Sequence, residues 1–152
     1  MPRITINGHE CDFEQGQSIL DVALAHQTEI PHYCWHPGLT VVANCRICLV
    51  EVWAPNPRNE NRLEAIPKLL PSCQTPAADG QVIYTDSPKA VANQRSVMEY
   101  LLINHPVDCP VCDQAGECYL QDYSYRYGSA ASRFEEVKLK QPKKDLGPNV
   151  LL

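Results

Sequence analysis

The stretch CRICLVEVW, residues 45–53, carries two signals in nine positions. From Ile47 to Trp53 the branched and aromatic side chains read as a β-strand. At its head, Cys45 and Cys48 form a C-x2-C pair, the spacing of a metal-ligand loop. The neighbouring elements are read outward from this junction.

Upstream, RITIN (3–7) and ECDFE (10–14) alternate apolar and polar residues and flank Gly8-His9, which predicts a β-hairpin. Ser18 suits a helix N-cap and Asp21 places negative charge in the first turn. Ile19, Leu20, Val22, Ala23 and Leu24 then fit a short helix that ends before Pro31, followed by a loop from His32 to Arg46. Downstream, residues 54–72 hold Pro55, Pro57, Pro67 and Pro71 with charges between them, and read as an extended insertion rather than a packed element. Gln81 to Thr85 reads as a closing strand. Residues 1–86 are therefore expected to form an α+β unit, a small mixed sheet on one helix.

A second unit is expected from residue 87. Asp86 or Ser87 can cap a helix whose first residue is Pro88 and which runs to about Asn104. Val91, Met98, Leu101 and Leu102 form its expected buried stripe, which His105 continues, and Pro106 stops it. A second helix is expected from Glu117 to Tyr127. The tail from Arg133 has room for one strand, and PKKDLGPN then reads as a connector, so that residues 128–152 link to a region further on.

The chain has 152 residues, 44% of them hydrophobic, with 13 prolines and a net charge of −5. The acidic balance and the lack of a basic stripe argue against nucleic acid as a partner. No apolar run approaches the roughly 18 residues of a membrane span, and Met1-Pro2-Arg3 opens neither a signal peptide nor a transit peptide. A reducing, cytosol-like compartment is expected, where disulfides are rare. The eight cysteines then point to metal binding or redox chemistry.

They fall into two groups, with Cys11 apart. Cys34, Cys45, Cys48 and Cys73 give C-x10-C-x2-C-x24-C. A 2Fe-2S centre needs two thiolates on each iron, and plant-type ferredoxins supply them from a short-spaced loop and a distant fourth cysteine. Backbone N–H groups of the Cys45–Cys48 loop would face the cluster, and the charge of Arg46 would favour thiolates. Tetrahedral zinc is the alternative, although zinc sites usually use two short pairs. His105, Cys109, Cys112 and Cys118 give H-x3-C-x2-C-x5-C. Cys118 at a helix start and Gly116 before it suit a thiolate close to backbone N–H groups. Spacing leaves a cluster and a Cys3His zinc site equally open here, and a lone histidine ending an apolar stripe is more often a packed core residue.

Cys11 reads as a small buried strand residue. Trp35 reads as shielding for the first group, and His26, His32 and His36 as loop or surface residues. No phosphate-binding glycine loop and no nucleophile–base constellation stands out, so no catalytic residue is assigned.

The runs CRICLVEV (45–52) and NHPVDCPVCDQAGECYLQD (104–122) resemble the large iron–sulfur subunit of respiratory complex I, NADH:quinone oxidoreductase. The module is shared with NAD-linked and iron-only hydrogenases and some formate dehydrogenases. The resemblance implies a ferredoxin-like β-grasp domain over residues 1–86, with a 2Fe-2S cluster on Cys34, Cys45, Cys48 and Cys73. It implies a small helical segment over 87–127, with a 4Fe-4S cluster on His105, Cys109, Cys112 and Cys118. The function implied is an electron relay from an NADH-oxidising flavoprotein subunit toward quinone, alongside other iron–sulfur subunits. The relay would be peripheral on the cytoplasmic face of the inner membrane. A hydrogenase or formate dehydrogenase module and, more distantly, a structural zinc scaffold are the alternatives. Ala115 and Tyr119 stand where the family pattern leads one to expect Gly and Asp, and the Cys48–Cys73 gap is long. In the family a segment like DLGP precedes a further cluster motif, so the chain is expected to be a fragment or a truncated product.

Overall fold

Asn7 and Gly8 both hold positive φ, 49° and 86°, the two-residue type I′ turn that matches the twist of paired strands. The turn joins β1 (Arg3–Ile6) to β2 (His9–Asp12) in antiparallel register, Ile4 opposite Cys11. The turn thus falls one residue earlier than the Gly8-His9 expected. The structure is a computed structural model that describes residues 1–140, 142 and 144–149.

Helix α1 (Ile19–Ala25) starts at a capping box: Ser18 Oγ accepts from the Asp21 N–H, and the Asp21 carboxylate accepts from the Ser18 N–H. Strand β3 (Leu49–Asn56) is the long strand of the sheet. It begins two residues later than expected because Ile47 and Cys48 belong to the turn before it. Strands β4 (Arg62–Ala65), β5 (Leu70–Pro71) and β6 (Val82–Tyr84) complete a sheet of order β2-β1-β6-β3-β4, with β5 also on β3. The β1–β6 pair is parallel and the others are antiparallel. This mixed sheet with one helix against it is the α+β, ferredoxin-like β-grasp arrangement that the resemblance implies.

Side-chain alternation decides the packing. Ile4 and Ile6, Val50 and Val52, and Ile83 bury one face of the sheet, and Ile19, Leu20, Val22 and Ala23 bury α1 in the same core. Asn7 ties the hairpin to the end of β6 by donating to Thr85 Oγ1 at 2.6 Å and accepting from the Thr85 N–H at 2.9 Å.

Residues 54–72 depart from expectation. The chain there makes a second hairpin, β3 with β4, Trp53 opposite Ala65 through Asn56 opposite Arg62, with a 3-10 turn at Pro57–Asn59. The prolines do not prevent it. Strand β6 pairs β3 only as far as Trp53, so Pro55 lies where β3 has a partner on one side alone, and its missing N–H breaks no ladder on the other.

Helix α2 runs Pro88–Leu102, with Ser87 Oγ accepting from the Ala90 N–H. Its buried positions are Ala90, Gln94 and Met98, spaced by four, while Val91 and Leu102 are half-buried and Leu101 is exposed. The expected stripe is thus rotated. The buried Gln94 is satisfied because its amide donates to Thr85 O at 3.1 Å. Helix α3 is Tyr119–Tyr127 and starts after Cys118, its N-cap. The chain divides into two compact units, Met1–Gln94 and Arg95–Leu152. No strand forms between Arg133 and Lys140, contrary to expectation. That stretch is held by side-chain hydrogen bonds instead. Residues 141, 143 and 150–152 of the expected connector lie outside the described residues.

Ile83 is fully buried on β6, between β1 and β3. Ile83→Ala should lose about 2–5 kcal/mol in urea unfolding. Leu63→Ala, on the exposed β4, should change stability by less than about 0.5 kcal/mol.

Candidate metal centres

Cys34 lies in the loop after α1, Cys45 and Cys48 in the turn that enters β3, and Cys73 in the turn that leaves β5. Strand pairing brings the last two together. Leu49 opposes Pro71 and Val50 opposes Leu70, and the Ser72 N–H donates to Cys48 O at 3.1 Å. The Cys48 and Cys73 sulfurs then lie 3.5 Å apart, both buried in the sheet's core. On the other side the Cys45 N–H donates to Cys34 Sγ at 3.5 Å. All four are free thiols.

Backbone shape accounts for the approach of Cys45 and Cys48. Ala43 and Arg46 hold left-handed conformations, φ 49° and 60°, and such turns aim successive N–H groups into a concavity that suits anions. Asn93 donates to Arg46 O at 2.8 Å and fixes the turn. The Cys45 thiol is pulled down to about 4, chiefly by the Cys48 thiol donating to it, and further by backbone hydrogen bonds from Cys34, Ile47 and Tyr33. The same contact pushes Cys48 up, aided by burial, and burial raises Cys73. Arg46 contributes its left-handed backbone to this turn, and its side chain is exposed.

Free thiols on adjoining turns have the chemistry of thiolate donors, and one further buried atom adjoins them. Ser72 is fully buried, and its hydroxyl is the one buried side-chain polar atom without a partner among the described residues. It immediately precedes Cys73, and a hydroxyl left without an acceptor in a core is destabilising. Trp35 is half-buried, packs on the core and meets His32 edge-on at 5.3 Å. His26 bonds Asp12 O and His36 accepts from the Gly38 N–H, the loop roles expected of them. His32 Nδ1 lies 2.7 Å from Ile30 O. Cys11 is buried in β2, with its sulfur 3.6 Å from His9 O.

The second group lies wholly in the second unit. His105, Cys109, Cys112 and Cys118 all line one cavity of about 380 Å3, with Val107 and Leu120 among its apolar walls. Helix α2 ends at Leu102, so His105 does not extend a helical stripe; it lies beyond the helix end and lines the cavity. Cys109 opens a 3-10 turn, Cys109–Val111, closed by the Cys112 N–H donating to Cys109 O at 3.2 Å. Cys118 is the N-cap of α3, yet its side chain makes no capping hydrogen bond. Gly116 has φ 87°, and its N–H is held by Gln121 Oε1 at 3.2 Å. Val107 has φ 58°, an outlier for a β-branched residue.

Among the described residues no three His, Cys, Asp or Glu side chains converge as a single metal ion would require. A 2Fe-2S core takes two thiolates at each iron and a cubane takes one ligand at each, so neither cluster calls for such convergence.

Known proteins match both halves. The chain is an iron–sulfur protein, and over residues 2–88 it belongs to the family of the 2Fe-2S iron–sulfur cluster binding domain. Residues 94–133 match the NADH-ubiquinone oxidoreductase-G iron–sulfur binding region, a 4Fe-4S model. More particularly, it is similar to an NADH-quinone oxidoreductase subunit of Rickettsia bellii, 42% identical over 97% of this chain and 20% of that protein. It is also similar to the mitochondrial 78 kDa subunit of the Candida albicans NADH-ubiquinone oxidoreductase, 44% identical over 97% of this chain and 19% of that protein. The chain thus spans about a fifth of the length of these relatives. A crystal structure of an NAD+-reducing [NiFe]-hydrogenase in the H2-reduced state superposes with a TM-score of 0.73 at 30% identity, over 97% of this chain and 57% of that one. With these matches the chain has a 2Fe-2S domain followed by a 4Fe-4S region, and the zinc alternative loses its footing.

Spacing and the family resemblance together single out the eight candidate ligands. They give no sign of Ser72, whose only sequence signal is its place before Cys73. In cluster-free protein Ser72→Ala should be neutral or stabilising by about 1 kcal/mol, because it removes an unsatisfied buried hydroxyl. In cluster-loaded protein the same change should hasten loss of the 2Fe-2S absorbance. Equal effects in the two forms would show that the hydroxyl does not sense the cluster.

Proposed function

We propose that this chain is an electron relay of an NADH:quinone oxidoreductase, holding a 2Fe-2S cluster on Cys34, Cys45, Cys48 and Cys73 and a 4Fe-4S cluster on His105, Cys109, Cys112 and Cys118. The observation that carries the reading is that each group of four falls entirely inside its own matched region, residues 2–88 and 94–133. The second four also share one cavity wall.

A bound cluster of either type supplies reversible one-electron chemistry. The chain's residues set its surroundings. Buried Cys48 and Cys73 keep the first site in the low-dielectric core, and the left-handed turn at Arg46 presents backbone N–H groups. At the second site a neutral imidazole in place of a thiolate removes one negative charge, which by itself raises a reduction potential.

The partners proposed are an NADH-binding flavoprotein subunit, which delivers electrons, and further iron–sulfur subunits, which carry them toward quinone. No helix among the described residues is long and apolar enough to cross a membrane. The chain's proposed place is the cytoplasmic face of the inner membrane, reached through the complex. A second reading, a module of an NAD-linked hydrogenase, is favoured by the hydrogenase superposition. Reduction of the clusters by NADH plus the flavoprotein, with no response to H2, would separate the first reading from the second.

Anaerobically prepared protein should hold about six irons per chain, two at the first site and four at the second, with matching labile sulfide. Stoichiometric zinc without sulfide would overturn the reading. His105→Cys should keep a 4Fe-4S EPR signal with a lowered midpoint, and His105→Ala should give a labile cluster. An unaltered signal and midpoint in both variants would remove His105 from the ligand set.

A further inference from the structure

Pro106 creates a vacancy in the backbone ahead of the second site. The Leu102 carbonyl, at the last residue of α2, would take its helical hydrogen bond from the N–H four residues on, and a proline has none. The His105 N–H reaches Leu102 O only at 3.3 Å. A side chain from far along the chain fills the gap. Lys138 Nζ donates to Leu102 O at 3.0 Å and to His105 O at 2.8 Å.

Lys138 belongs to a strap. Arg133 forms a two-pronged pair with Glu99, its Nη2 at 2.9 Å from Oε2. The Leu139 N–H donates to Asn104 Oδ1 at 3.0 Å, and Lys140 Nζ lies 3.9 Å from Asp108 Oδ1. Residues 133–140 thus grip Glu99, Leu102, Asn104, His105 and Asp108, the run that leads into Cys109. Inside that run sits Val107, in a left-handed conformation that persists only where its surroundings over-determine it.

We propose that Lys138 is a positioning residue for the second metal centre. Its ammonium group holds the backbone of His105, so that the imidazole faces the cavity, and places a fixed positive charge beside the site. The proposal rests on the reading of His105 as a ligand given above. Two effects follow from one side chain. The strap holds the strained run 102–108 in shape, and the cation, at the negative end of α2, favours the reduced, more negative cluster.

The test uses the cluster-loaded chain with Lys138→Met, Lys138→Arg and Asn104→Ala. Iron, sulfide and the 4Fe-4S EPR signal of the unaltered protein are measured first, because their absence would sink the ligand reading rather than this one. With the signal present, Lys138→Met should lower the 4Fe-4S midpoint, leave the 2Fe-2S midpoint in place, and speed amide exchange across 133–140 about tenfold. Lys138→Arg should restore both. Asn104→Ala keeps the cation, so it should speed exchange at Leu139 with little change in midpoint; this variant also serves if Lys138→Met does not fold. An unchanged 4Fe-4S midpoint and unchanged exchange in Lys138→Met would overturn the proposal, as would equal midpoint shifts in Lys138→Met and Asn104→Ala.

Discussion

Cys48 and Cys73 stand 25 positions apart in sequence, and their sulfurs lie 3.5 Å apart in the folded chain. Closing a loop of that length has an entropic cost that grows only slowly with its size, but the ends must still be held. Three interactions hold them: the β3–β5 pairing, the Ser72 N–H on Cys48 O, and the Leu20 N–H on Ser72 O at 3.0 Å. The last ties the returning turn to α1. The helix, the long strand and the distant cysteine are thus mutually dependent, and the cysteine turn before β3 is built on the result. Cys48 and Cys73 are part of the sheet's own core, so sheet formation brings these two thiols together.

The second site is organised on other terms. Few residues of its unit are buried; Met98 and Tyr123 are the main ones. Tyr123 stacks on Tyr119 and meets Tyr127 edge-on along α3. Turns and side-chain-to-backbone bonds, rather than apolar packing, shape the run from Leu102 to Cys118. A unit with so little core is expected to depend on its bound metal for folding more than the first unit does, since a preformed site is rare without metal.

The parts legible in the sequence are those governed by local rules. The Ser18 N-cap, the strand at 49–53 and the helix from Pro88 follow from capping chemistry and side-chain branching. The two cysteine groups follow from spacing, because metal chemistry restricts residue type and separation, and the assignment of all eight candidates, His105 included, comes with the family resemblance. The illegible parts depend on what lies beside them. Pro55 reads as a breaker until the end of β6 is known. The buried face of α2 turns on Gln94, which is polar yet satisfied by Thr85 O and so is absent from any hydrophobic pattern. Lys138 lies 36 residues from Leu102, and no local rule links a lysine in an irregular tail to a carbonyl that a proline has deprived of its helical donor.

The two outer strands of the sheet, β2 and β4, have consequences for the chain in bulk solution. An open strand edge is a template on which another chain can add, and a flat apolar edge invites aggregation. Strand β2 carries exposed His9, Glu10 and Asp12, and β4 is exposed along its whole length with Arg62 and Glu64. The Glu64 carboxylate is further engaged by Asn56 and Asn59, each at 2.7 Å. Charges thus stand guard at both margins of the sheet, where an intruding strand would have to strip them of water. Addition of a second copy's strand at either margin would carry that desolvation cost before any new backbone hydrogen bond formed.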